Sequence, residues 1–165
     1  MKKLLLFLLP LSLILSSCGS VDPIEYNDQL VEYIDKAGQR VTNLNTEIND
    51  LFESEEYTKL QEYTKATSDS LKADIKEIKS LKKPDGADGF QNSVIAYIEA
   101  LIVNAEIMGT QYSKVTAEMS EEEFDEINKL VLESEEVYNN KVEEMITAQK
   151  GFAKEKNFDL TYTKQ

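Results

Sequence analysis

Apolar residues recur along most of this chain in alternating steps of four and three, the period of a helix that buries one face. The first seam reads Leu30, Ile34, Ala37, Val41, Leu44, Ile48 and Leu51. Asp22-Pro23-Ile24-Glu25 stands just ahead of it. Aspartate can cap a helix, proline suits the first helical position, and an acid three residues after the cap completes a capping box. A first helix over Pro23–Phe52 is predicted. The polar stretch Glu53-Ser54-Glu55-Glu56 interrupts the pattern, with Ser54 placed to cap a second helix. That helix carries Tyr57, Leu60, Tyr63, Leu71, Ile75, Ile78 and Leu81, and its polar middle, Thr64–Ser70, makes it the weakest of the set.

Lys83-Pro84-Asp85-Gly86-Ala87-Asp88-Gly89 is the one Pro/Gly-rich loop. Asp88 with Gln91 forms a candidate capping box for a third helix, whose seam is Val94, Ile98, Leu101, Ala105, Met108, Tyr112, Val115 and Met119. Ile95, Tyr97 and Ile102 widen its apolar face, which predicts the most buried helix. Ser120 with Glu123 predicts another capping box and a very tight link into a fourth helix. Its apolar positions are Phe124, Ile127, Val131, Tyr138, Val142, Met145, Ala148 and Phe152, and it should reach about Lys156, with Asn157 as its stop. The alternation in Phe158-Asp159-Leu160-Thr161-Tyr162 suits an extended segment lying on the helices. The expected fold is all-α: an up-down-up-down four-helix bundle over 23–156 with a short extended C-terminal tail, 157–165. Gly38 and Gly109 interrupt strong helical patterns, marking either the bundle's tightest crossing, if they face one another, or a pocket.

The first residues follow a different rule. Met1-Lys2-Lys3 is cationic, and an apolar run from Leu4 to Leu15, broken by Pro10 and Ser12, leads to Ser16-Ser17-Cys18. This is the layout of a secretory signal, and the run is shorter than the roughly 20 residues that span a bilayer. Leu15-Ser16-Ser17-Cys18 resembles the lipobox of bacterial lipoproteins, which implies cleavage after residue 17 and a lipid on Cys18. Cys18 is the one cysteine in the chain, so no intrachain disulfide can form. Residues 1–17 are thus expected to be a signal peptide and 18–22 a lipidated cysteine with its tether. At least two acyl chains are needed for lasting attachment, and the diacylglyceryl group implied by the resemblance supplies them. Gly19, where an aspartate would signal inner-membrane retention, favours the outer membrane in cells that have one, by the same resemblance.

Charge narrows the partners. Removing residues 1–17 takes Lys2 and Lys3, leaving 16 basic and 31 acidic side chains, a balance of −15. That balance argues against nucleic acid and against direct electrostatic binding to anionic lipid, since both are negative. With no histidine, the chain lacks Ser-His-Asp and Cys-His arrangements, the usual zinc sites and the Glu-x-x-His pairs of di-iron bundles. Asp85, Asp88 and Gly89 do not have calcium-loop spacing, since the twelfth position from Asp85 is Ala96. Glu121-Glu122-Glu123 fits a helix start, where acids favour the dipole. No catalytic, metal or cofactor site is expected. One binding arrangement is open: Met108, Tyr112, Tyr138 and Met145 could line a slot for a small apolar ligand between the third and fourth helices. A filled core with tyrosine at its edges and methionine as gap filler is the competing reading.

Finally, Ala148-Gln149-Lys150-Gly151-Phe152-Ala153-Lys154 through Asn157-Phe158-Asp159-Leu160 resembles the closing segment of small helical surface lipoproteins of bacteria, a family of unassigned activity, and Tyr26–Val41 is compatible with that family's opening. The resemblance implies surface exposure and a helical bundle, and it transfers no catalytic residue. The expectation is a non-enzymatic, lipid-anchored envelope protein. It would be held to the membrane through Cys18 and would bind or scaffold an unknown protein or envelope partner.

Overall fold

Asp22 starts the first helix as its sequence predicts: Oδ1 accepts from the Ile24 N–H at 2.8 Å and the Glu25 N–H at 3.4 Å. In the computed structural model, which describes residues 21–160, helix α1 then runs over Pro23–Glu53. The expected signal peptide, Cys18 and the last five residues of the tail lie outside the described residues. Helices α2 (Leu60–Ser80), α3 (Asp88–Tyr112) and α4 (Glu121–Lys156) follow, with a 3-10 turn over Tyr57–Lys59 ahead of α2. Among the described residues there is no strand.

Two apolar clusters fix the topology. One gathers Tyr26, Leu30, Ala37 and Val41 of α1, Leu71, Ile75 and Ile78 of α2, Phe90 to Ile102 of α3, and Met145 and Phe152 of α4. The other gathers Leu44, Ile48 and Leu51 of α1, Leu60 of α2, Ala105 and Met108 of α3, and Val131 of α4. The start of α1 therefore lies with the end of α2, the start of α3 and the end of α4. The bundle runs up-down-up-down, as expected. We call the end at which α1 begins the base and the opposite end the distal end.

Helix α3 is the central element and touches each of the other three helices. By length and composition it could cross a membrane, yet its apolar face is covered within the bundle. Aromatic rings close both ends. At the base, Phe152 meets Tyr26 edge-on at 6.2 Å, stacks on Phe90 at 5.9 Å and meets Phe158 at 5.8 Å. At the distal end, Phe52 meets Tyr57, Tyr112 and Phe124, all edge-on.

Several local expectations change. Ser54 does not cap α2; it ends α1, its hydroxyl donating to the Asp50 carbonyl at 2.9 Å. The Asp88–Gln91 capping box does not form. Ala87 holds the cap position, Asp88 pairs with Lys83, and the Gln91 amide donates instead to the Ile78 carbonyl at 2.8 Å. A buried carbonyl at the end of α2 needs that donor, and an exposed helix start does not. The apolar pattern of the third helix continues to Met119, but α3 stops at Tyr112, so the link to α4 is an irregular segment over 113–120 rather than a very tight turn. Val115 keeps its buried place there without helical backbone.

The Ser120–Glu123 box does form. The Ser120 hydroxyl accepts from the Glu123 N–H at 3.3 Å, and the Ser120 N–H donates to the Glu123 carboxylate at 3.0 Å. The Ser120 N–H, and the Ser120 hydroxyl donating to the same carboxylate at 2.8 Å, hold the Glu123 carboxyl below its ordinary range. Asn157 stops α4 in the left-handed conformation (φ 59°). Phe158 then folds back, its N–H donating to the Ala153 carbonyl at 3.1 Å.

Candidate functional site

Four of the packed helix pairs are joined by polar side chains whose partners lie on the other helix. Between α1 and α2, Asp74 is almost fully buried, and it receives Lys36 at 2.8 Å and the Arg40 Nε at 2.9 Å. Between α2 and α3, Gln91 reaches the Ile78 carbonyl, and Ser68 donates to Glu106 at 2.9 Å. Between α3 and α4, buried Asn104 donates to Ser134 at 2.7 Å. Between α1 and α4, Gln149 donates to Asn27 at 2.9 Å. A buried polar group costs stability unless it is hydrogen-bonded, so a slipped register would leave these groups unpaired.

The Asp74 cluster is the densest charged constellation in the described chain. Arg40 is the chain's one arginine, and its guanidinium is occupied by Asp74 through Nε and Nη2. Tyr33 lies alongside, donating to Glu77 at 3.0 Å, with the Lys36 ammonium 5.5 Å from its ring centre. Burial, then the Glu77 hydrogen bond and charge, push the Tyr33 hydroxyl up. Open clefts adjoin this cluster, one lined by Glu32, Asp35, Lys36, Gln39, Arg40 and Asn43. With its cations committed to Asp74, the cluster acts as a pin between α1 and α2. Sequence reasoning missed it, although two signals were present: an acid on the seam of α2 between Leu71 and Ile78, and cations four apart on α1.

The four residues considered for an apolar-ligand slot are not brought together. Met108 belongs to the distal cluster with Tyr112 packed against it, whereas Met145 belongs to the basal cluster with Tyr138 packed against it. Tyr112 donates to Asn128 at 3.0 Å, and burial raises its hydroxyl's pKa. Burial raises the Tyr138 hydroxyl in the same way, and burial and then Tyr138 raise that of Tyr97. Tyr97 and Tyr112 are fifteen residues apart on one helix, about 22 Å at 1.5 Å per residue. The clefts described among residues 21–160 are open to solvent, and none is lined by these four residues.

Gly38 and Gly109 do not face one another. A side chain on Gly109 would collide with Thr64 of α2, while Gly38 lies on α1 near the Tyr97 hydroxyl. At this point α2 and α3 therefore cross closely. That crossing accounts for the polar middle of α2, because buried Thr64 and Ser68 are small enough to allow the approach. Among the described residues, no group of three or more carboxylates is placed to hold a metal ion. No protein-family model, curated protein or solved structure matches this chain.

Proposed function

We propose that this chain is a lipid-anchored protein of the bacterial cell envelope, whose four-helix bundle binds or scaffolds a partner without catalysis. One observation carries the reading. The chain's one cysteine closes Leu15-Ser16-Ser17-Cys18 behind a short apolar run, and the first helix begins five residues later at Pro23. A lipid on Cys18 would hold the base close to the bilayer, since the four intervening residues, Gly19 to Asp22, reach about 14 Å at most. The commitment of the buried polar groups to holding the helices in register supports a role in presentation. The resemblance of Ala148–Leu160 to the closing segment of surface lipoproteins supports exposure at the cell surface, and Gly19 favours the outer membrane where there is one.

The test uses the full chain expressed in a bacterium with radiolabelled palmitate, followed by membrane fractionation. The wild type should take up label and sediment with membranes. The Cys18→Ser variant should take up none and should lose the processed, membrane-bound form. An unlabelled wild type, or a Cys18→Ser variant processed and retained as before, would refute the anchor.

A further inference from the structure

Charge is unevenly distributed along the bundle. Residues 44–66 and 105–136 build the distal half and hold 16 acidic and 4 basic side chains, a balance of −12. The remaining described residues, 21–43, 67–104 and 137–160, hold 15 acidic and 11 basic, a balance of −4. The topology brings two separate lysine groups to the base: Lys79 in the last turn of α2 with Lys82 and Lys83 just after it, and Lys150, Lys154 and Lys156 at the end of α4. Lys83 pairs with Asp88 and Lys156 with Glu155, while Lys79, Lys82, Lys150 and Lys154 have no ion pair among the described residues. The acids Asp22, Glu25, Glu77, Asp85 and Asp159 share this end with the paired Asp88 and Glu155, seven acids against six lysines, so the base is close to neutral rather than cationic; Asp22 is occupied in capping α1, and Glu77 accepts from Tyr33.

The base also leaves apolar surface uncovered. Ile24, in the first turn of α1, is 50% exposed. Val21, Pro23 and Pro84 line an open cleft with Lys82, Lys83, Asp85 and Lys156, while Phe158 and Leu160 line another with Lys150 and Lys154. Long cationic side chains around exposed apolar ones suit a headgroup surface, where the stems lie along apolar groups and the ammonium reaches phosphate.

We propose that this basal face docks directly on the anionic phospholipid headgroups of the membrane that carries the Cys18 lipid. The inference rests on the anchoring reading, because Val21 is three residues from Cys18 and the tether delivers this face to the surface. The overall negative charge does not prevent docking. Fields are screened over about 8 Å at physiological salt, and a helix the length of α1 extends about 45 Å. The membrane therefore senses the near-neutral base with its four unpaired lysines, and the distal carboxylates lie several screening lengths away. The acidic half keeps the bundle upright, and the lysines fix which end is down.

Amine-reactive labelling of the lipidated protein, read lysine by lysine by mass spectrometry, tests this on vesicles. One set is phosphatidylcholine alone and the other contains about one-third phosphatidylglycerol. On the anionic vesicles Lys82, Lys150 and Lys154 should react several-fold more slowly than on the neutral ones, with distal Lys59 and Lys114 unchanged. High salt should remove the difference. A lipidated Lys82→Glu/Lys150→Glu/Lys154→Glu variant that stays helical should lose the remaining protection at Lys79. Equal basal labelling on both vesicles, or protection of the distal lysines, would overturn the proposal. Intact mass reports the lipid separately. Without it the anchoring reading falls, and labelling at saturating vesicle concentration still decides the basal face.

Discussion

Tyr26 shows how one residue departs from the pattern around it. Its ring is fully buried against Phe152, yet its hydroxyl has no hydrogen-bond partner among the described residues. A buried hydroxyl left unpaired costs on the order of 1–3 kcal/mol. Tyr26→Phe keeps the ring packing and removes that cost, so the variant should be as stable as the wild type or more stable by about 1 kcal/mol. Chemical denaturation at neutral pH measures this, and a clear loss of stability would mean the hydroxyl has an acceptor. Asp74 is the opposite case, a buried acid whose two cations satisfy it. The apolar seams include neither position, and periodicity carries no information on which buried polar atoms find partners. Partners such as Arg40 for Asp74, or Gln149 for Asn27, come from other helices, and the pairing follows from the register of the packed bundle.

At the level of elements, two glycines with the same sequence context diverge. Alanine at Gly38 would place its methyl 3.9 Å from the Tyr97 hydroxyl, an ordinary contact, so the helix gains about 1 kcal/mol of propensity. Alanine at Gly109 would overlap the Thr64 hydroxyl and lie 3.0 Å from its Cβ. Thr64 is β-branched and buried, and its hydroxyl already donates to the Leu60 carbonyl at 2.9 Å, so it has little room to turn. Overpacking of this kind costs about 1–3 kcal/mol and outweighs the propensity gain. Thermal melts should therefore rise for Gly38→Ala and fall for Gly109→Ala; a rise in both would mean that α2 gives way. Helix extents were legible because seams and caps are local, as the Ser120–Glu123 box and the Asn157 stop show. The misread boundaries lie where a distant demand redirected a local signal. Gln91 left its expected cap to serve the end of α2, and Val115 stayed buried beyond the end of α3.

Across the whole molecule, stability against pH separates what burial does from what surface charge does. Burial first, and then the charge of Asp88, push the Tyr26 hydroxyl up to about 12 from its ordinary 10. Burial also raises Tyr97, Tyr112 and Tyr138. A phenol that holds its proton more tightly in the folded chain stabilises the fold fully below the unfolded value, and that contribution disappears as pH rises through the folded one. For Tyr26 the window is about pH 10–12, and two units correspond to about 3 kcal/mol. The lysine pairs weaken over a similar range. Lys72 with Glu106 and Lys59 with Glu56 raise the lysines' values, but these groups are at the surface and salt screens them. On the acid side, Lys72 and Ser68 lower Glu106, and Lys65 lowers Asp69, again through surface contacts that salt attenuates. Denaturation midpoints at about 0.5 M salt should thus change little on moderate acidification and fall steeply above pH 10. Tyr26→Phe should retain part of what the wild type loses there. Superimposable alkaline limbs for the two proteins would show that the Tyr26 phenol titrates as readily in the folded bundle as in the unfolded chain.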